Sequence, residues 1–179
     1  MRMKRFAAPV ALAVALSVVP AMAEAIEATV YKSPECGCCH VWVGYLRDNG
    51  FDVRVKDMDD VTPVKNFFRI PDDLWSCHTA IIGGYAVEGH VPVEAIDRLL
   101  AEKPQIKGIA LPGMPSGSPG MPGPKTEKFI IYTISGTKPA VFMVLWGGGA
   151  GVAAVGPPVG RATCAVETDP EVRYPASLR

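Results

Sequence analysis

The sequence predicts an α/β fold, a mixed sheet flanked by helices, on three observations. Two short segments that alternate apolar and polar residues, 26–31 and 51–56, bracket a segment of helical periodicity at 37–49, so the folded part opens as a βαβ unit. Gly83-Gly84 lies between two β-rich segments and marks a hairpin. A later stretch, 92–103, starts at Pro92 and sets Ile96, Leu99 and Leu100 along one helical face.

Each element has its own signal. Ile26-Glu27-Ala28-Thr29-Val30-Tyr31 is alternating and β-rich, and Ser33-Pro34 breaks it. Val41, Val43, Tyr45 and Leu46 recur at roughly helical spacing, and Asn49-Gly50 supplies a stop. Phe51-Asp52-Val53-Arg54-Val55-Lys56 alternates strictly, and residues 61–68 suit a short second helix. Residues 76–82 lead into the glycine pair, and Tyr85-Ala86-Val87-Glu88 returns as the second arm. The order βαβ, helix, hairpin, helix is that of a thioredoxin-like domain, placed at 24–146 and closed by two strands at 129–134 and 140–146. Ahead of these two strands, 108–124 (GIALPGMPSGSPGMPGP) is a Pro/Gly/Met-rich loop with too few large apolar residues for a core of its own. Residues 147–179 form an atypical Gly/Ala/Pro-rich tail, expected to be poorly ordered, and its Cys164 receives no role. The uncharged run 140–160 is not read as a membrane span, because glycines and Pro157-Pro158 interrupt it.

The compartment follows from the first 23 residues. Arg2, Lys4 and Arg5 precede an apolar run ending at Pro20, and Ala21-Met22-Ala23 offers the small residues a signal peptidase reads. The run of about 15 residues is short of the roughly 20 that span a bilayer. We therefore expect a signal peptide at 1–23, cleaved before Glu24, and a periplasmic mature chain without a stable membrane span. Removing those three cations from the 18 basic residues leaves 15 against 18 acidic, a formal charge of −3, and no basic patch to hold nucleic acid. A chain of this length builds its own core, so its cysteines are not needed as staples.

The cysteines are instead clustered. Cys36-Gly37-Cys38-Cys39-His40 gathers three of the five Cys and one of the three His, and Cys77-His78 adds another of each. The helix at 37–49 puts the first group in its opening turn, where free amides and the positive dipole end lower a thiol pKa from about 8.5 toward roughly 3.5 to 7.5. In a thioredoxin-like domain the loop before the third strand packs against that helix end. Here it reads Ser76-Cys77-His78-Thr79, where a proline is usual, which brings a fourth thiol and a second imidazole to face the cluster. Three chemistries stay open. Cys36 and Cys39 form the Cys-x-x-Cys pair of a dithiol exchanger, which has no use for Cys38 or Cys77. Four thiols with His40 and His78 suit Cu(I), and zinc accepts the same donors although its structural sites usually use two such knuckles.

Other residues carry weaker signals. Met114 and Met121 are soft thioethers in the Pro/Gly-rich loop, readable as core filler or as a lid over the thiols. His90 reads as a turn or helix-entry residue in preference to a ligand, and Trp42 and Trp75 as packing aromatics. Asp57, Asp59 and Asp60 read as solvated. No Ser-His-Asp arrangement, phosphate loop or carboxylate pair supports hydrolysis.

Together, Cys36-Gly37-Cys38-Cys39-His40, Ser76-Cys77-His78-Thr79, Gly84-Tyr85, Val87-Glu88-Gly89-His90-Val91-Pro92, the run 108–115 and Gly117-Ser118-Pro119-Gly120-Met121 resemble the CopG-type family of exported copper-resistance proteins. The resemblance covers about 26–143. It implies a thioredoxin-like fold, copper as the bound metal, Cys36, Cys38, Cys39 and Cys77 as ligands, and, less firmly, the nearby His and the Met114 and Met121 loop. It further implies a role in periplasmic copper handling, interconversion of Cu(I) and Cu(II), and other periplasmic copper-handling proteins as partners.

Overall fold

The computed structural model describes residues 25–135 and 138–146. The signal peptide expected at 1–23, the tail at 147–179 and Cys164 lie outside these residues. The chain runs β1 (Ile26–Lys32), α1 (Gly37–Asp48), β2 (Phe51–Asp57), α2 (Thr62–Phe68), a 3-10 turn (Asp72–Leu74), β3 (His78–Ile82), β4 (Tyr85–Glu88), α3 (Val93–Glu102), β5 (Gly108–Ala110), β6 (Phe129–Ile134) and β7 (Val141–Leu145). The strands form a mixed sheet in the order β2-β1-β3-β4-β5-β6-β7. β1 and β2 are parallel, as are β4 and β5, which suits pairs joined by helical crossovers. The other neighbours are antiparallel. This is a thioredoxin-like α/β architecture.

Alternation along the strands builds two cores. Ala28, Val30, Ala80, Ile82, Val87, Ile109, Phe129 and Ile131 face one side, where α1 supplies Trp42, Val43 and Leu46 and α3 supplies Ala95, Ile96 and Leu99. Ala86, Ala110 and Ile134 face the other side, under Phe68, Ile70 and Leu74 from α2 and the segment after it. Full burial of a residue such as Ile96 or Leu99 stabilises by about 1.5 to 3 kcal/mol. Trp42 ties the first core to the site: it is fully buried, and its indole N–H donates to the Val91 carbonyl at 3.1 Å.

The helix ends follow local chemistry. α1 begins after Cys36, whose extended backbone (φ −79°, ψ 93°) starts the turn, and ends at Asn49, with Gly50 at φ +86° reversing the chain. Pro63 opens α2, and Pro92 precedes α3. One element departs from expectation. The segment 108–124 does not begin as loop: Gly108-Ile109-Ala110 is a fully buried strand between β4 and β6, and the loop proper starts after it.

Candidate metal centre

The N-terminus of α1 and the loop before β3 meet at one place. Cys36 stands at the cap and Cys38 and Cys39 in the first turn, all three buried, while Cys77 is partly exposed. Cys36 and Cys39 are joined as a disulfide. Cys38 Sγ lies 3.4 Å from Cys36 Sγ and 4.0 Å from Cys77 Sγ, and Cys39 Sγ lies 3.4 Å from Cys77 Sγ. The four sulfurs thus sit within 4.8 Å of one another. Burial pushes the Cys77 thiol up to about 11, against the lowering effects of the Ser76 hydroxyl and the Lys65 ammonium. Cys77 therefore keeps its proton at neutral pH, and a metal that takes this sulfur must release it.

A second donor group shares Cys77. His78 Nδ1 lies 3.4 Å and His90 Nε2 3.1 Å from Cys77 Sγ, and the two rings meet edge to face with centroids 4.9 Å apart. His90 Nδ1 is 2.7 Å from the Pro119 carbonyl, which can only accept, so Nδ1 carries the proton and the Nε2 lone pair points at sulfur. Burial lowers His90 to about 4 and holds His78 well below the usual imidazole range, with His90 and Lys65 reinforcing the effect on His78. Both rings are neutral and able to act as ligands. His78 stacks against Trp42 at 4.4 Å, and its buried Nε2 has no hydrogen-bond partner, an orphaned donor or acceptor of a kind native interiors rarely leave.

The loop readable in sequence as core filler or as a lid lies against the cysteine cluster. Met114 and Met121, both partly buried, pack against the cysteine cluster. Gly120, at φ +86°, lies so close to α1 that a Cβ there would stand 2.8 Å from the Cys38 carbonyl oxygen and 2.9 Å from the Trp42 amide nitrogen. Ser118 braces the turn through its amide and hydroxyl, both donated to the Pro115 carbonyl.

Of the residues singled out in sequence, Cys36, Cys38, Cys39, Cys77, His78, Met114 and Met121 come together. His40 does not join them: it is exposed on α1, with Nδ1 3.0 Å from the Cys36 carbonyl of its own turn. His90 occupies the turn read for it, but its side chain is buried against Cys77. The signal was Gly89, whose φ of +77° turns the chain after β4 back toward the site. Lys65 and Glu88, a buried ion pair behind Cys77, gave no sequence signal at all.

The donor set suits a soft cation: thiols, neutral imidazoles and thioethers in a largely buried pocket are the ligands Cu(I) prefers. A family model described as a protein of unknown function, DUF411, matches residues 74–121, which hold Cys77, His78, His90 and both loop methionines. No curated protein matches the sequence. Two solved structures of the copper resistance protein CopG, forms 1 and 2, are each 35% identical to this chain; they cover 69% and 68% of it and 100% and 99% of their own lengths, with TM-scores of 0.63 and 0.64. With that identity across the whole length of form 1 and a shared architecture, the chain belongs to the CopG family of copper resistance proteins.

Proposed function

We propose that the protein binds copper ions in the periplasm and serves copper handling and resistance there, holding the ion through the thiolates of Cys36, Cys38, Cys39 and Cys77. The observation that carries this reading is the convergence of Cys77 on the thiols of α1, with two neutral imidazoles on its other side. Four thiolates hold Cu(I) well, and imidazole serves either oxidation state, so the same site supports interconversion of Cu(I) and Cu(II). His78 and His90 supply the nitrogen donors, and the thioethers of Met114 and Met121 help retain Cu(I). Joined as a disulfide, Cys36 and Cys39 offer no thiolate, so full loading requires reduction of that pair. The basic-then-apolar segment at 1–23 supports export. Metal analysis of protein purified from the periplasm of copper-fed cells, with thiol titration, tests the reading. Copper bound at the expense of titratable thiols is expected; zinc alone, or metal-free protein, overturns it.

A second reading, thiol-disulfide exchange, is favoured by the Cys36–Cys39 disulfide with Cys77 Sγ 3.4 Å from Cys39 Sγ. The high pKa of Cys77 weighs against it, since only a thiolate attacks a disulfide. Robust metal-free exchange with a model disulfide, indifferent to changes at Cys38, would favour this reading over copper binding.

A further inference from the structure

Behind Cys77 lies a network of buried polar groups that the copper site itself does not use. Lys65 of α2 and Glu88 of β4 are 1% and 0% exposed and form an ion pair at 2.5 Å. Glu88 Oε1 also accepts from the Ser76 amide at 2.6 Å, and Oε2 accepts from the Thr79 hydroxyl at 2.6 Å. Lys65 Nζ donates in addition to Thr79 Oγ1 at 3.3 Å. One carboxylate thus grips the chain on both sides of Cys77-His78.

The network continues to the methionine loop. Ser76 Oγ donates to the Gly113 carbonyl at 2.5 Å, and the Gly113 amide donates to the Trp75 carbonyl at 3.1 Å. The Glu88 carbonyl accepts from the Leu111 amide at 3.0 Å. Met114 follows directly. Ser76 and Cys77 precede β3, so no ladder pairing fixes them, and the segment has no proline to set its backbone. An apolar pair of similar volume could fill the space of Lys65 and Glu88 without loss of stability, because buried charges lose their hydration. What an apolar pair could not supply is the hold on Ser76 and Thr79.

We infer that Glu88, held in place by Lys65, is a positioning residue that sets Cys77 against the thiols of α1 and so determines how tightly copper is retained. The inference rests on the copper reading proposed above. Groups that orient metal ligands from behind typically change affinity by about 10- to 100-fold when removed.

The test is a mutant cycle on the reduced protein, read by Cu(I) competition against a chromophoric chelator in wild type, Glu88→Gln, Cys77→Ser and the double variant. If Glu88 acts through Cys77, Glu88→Gln weakens Cu(I) retention about 10- to 100-fold alone and by less than about twofold once Cys77 is already Ser. An equal loss in both backgrounds, or no loss in the first, overturns the inference. Should Glu88→Gln fail to fold, Thr79→Val, which removes one hydroxyl from the same carboxylate, takes its place in the cycle under the same criteria. If wild type itself holds no Cu(I), the copper reading fails, and positioning is then judged without metal. Faster alkylation of Cys77 by iodoacetamide in the variant than in reduced wild type upholds it, and an unchanged rate overturns it.

Discussion

Cys39 and Cys77 lie 38 positions apart in the chain, yet their sulfurs are 3.4 Å apart. If the two form one copper site with Cys36 and Cys38, Cys77→Ser should weaken Cu(I) binding as much as a serine at any of the three α1 positions, at least tenfold in chelator competition. Cys164→Ser should leave it unchanged. Full binding by the Cys77 variant would show that the two segments act independently.

Because Cys36 and Cys39 are joined, copper uptake should depend on thiol redox state. Protein reduced and then freed of reductant anaerobically should take up Cu(I) more tightly than protein kept oxidised, and serine at both Cys36 and Cys39 should abolish the difference. Equal uptake by both forms would show that this pair does not contribute ligands.

The buried imidazoles predict an acid-sensitive fold. His90 stays neutral in the folded chain down to about pH 4, while in the unfolded chain it takes a proton near pH 6.5. Between these values the unfolded state binds more protons, so stability falls as pH drops from 6.5 toward 4, by up to about 3 kcal/mol from this group. His78 shifts in the same direction. Melting of metal-free protein at pH 7, 6 and 5 should therefore show a progressive loss, and His90→Gln should flatten it. Parallel curves for the two proteins would mean that His90 is not the group responsible.

Thioethers separate copper from zinc. Changing Met114 and Met121 together to Leu keeps volume, a swap that usually costs less than about 1.5 kcal/mol. Cu(I) retention should fall while zinc binding and the melting temperature of the metal-free protein stay nearly the same. Normal copper retention with a much lower melting temperature would make both residues packing groups only.

Much of this arrangement could be read from sequence, and the misses have physical causes. Strict alternation gave β2, and helical spacing between Ser33-Pro34 and Asn49-Gly50 gave α1 to within a residue, because each rests on local periodicity. β5 escaped because Gly108-Ile109-Ala110 is buried on both faces and three residues long, too short to alternate, and it borders a loop rich in Pro and Gly. The thiols of α1 and Cys77 were legible as a set because the fold's element order places their segments together. His90 was not, since its role depends on the positive φ of Gly89, and neither was Glu88, whose partner Lys65 lies 23 positions away on the other side of β3. Charged residues in alternating segments read as solvent-facing, and only the tertiary structure shows one turned inward.

The seat of Gly120 on α1 bears on kinetics. The chain's own backbone is packed against the Cys38 carbonyl and the Trp42 amide; if the segment around Gly120 encloses an ion in the cluster, that ion leaves only after the segment lifts. Exchange should then saturate: as acceptor concentration rises, the release rate levels off at the opening rate of the loop, whatever the acceptor. A larger side chain at this position would hold the loop ajar and turn a slow, gated store into one that equilibrates freely with its surroundings.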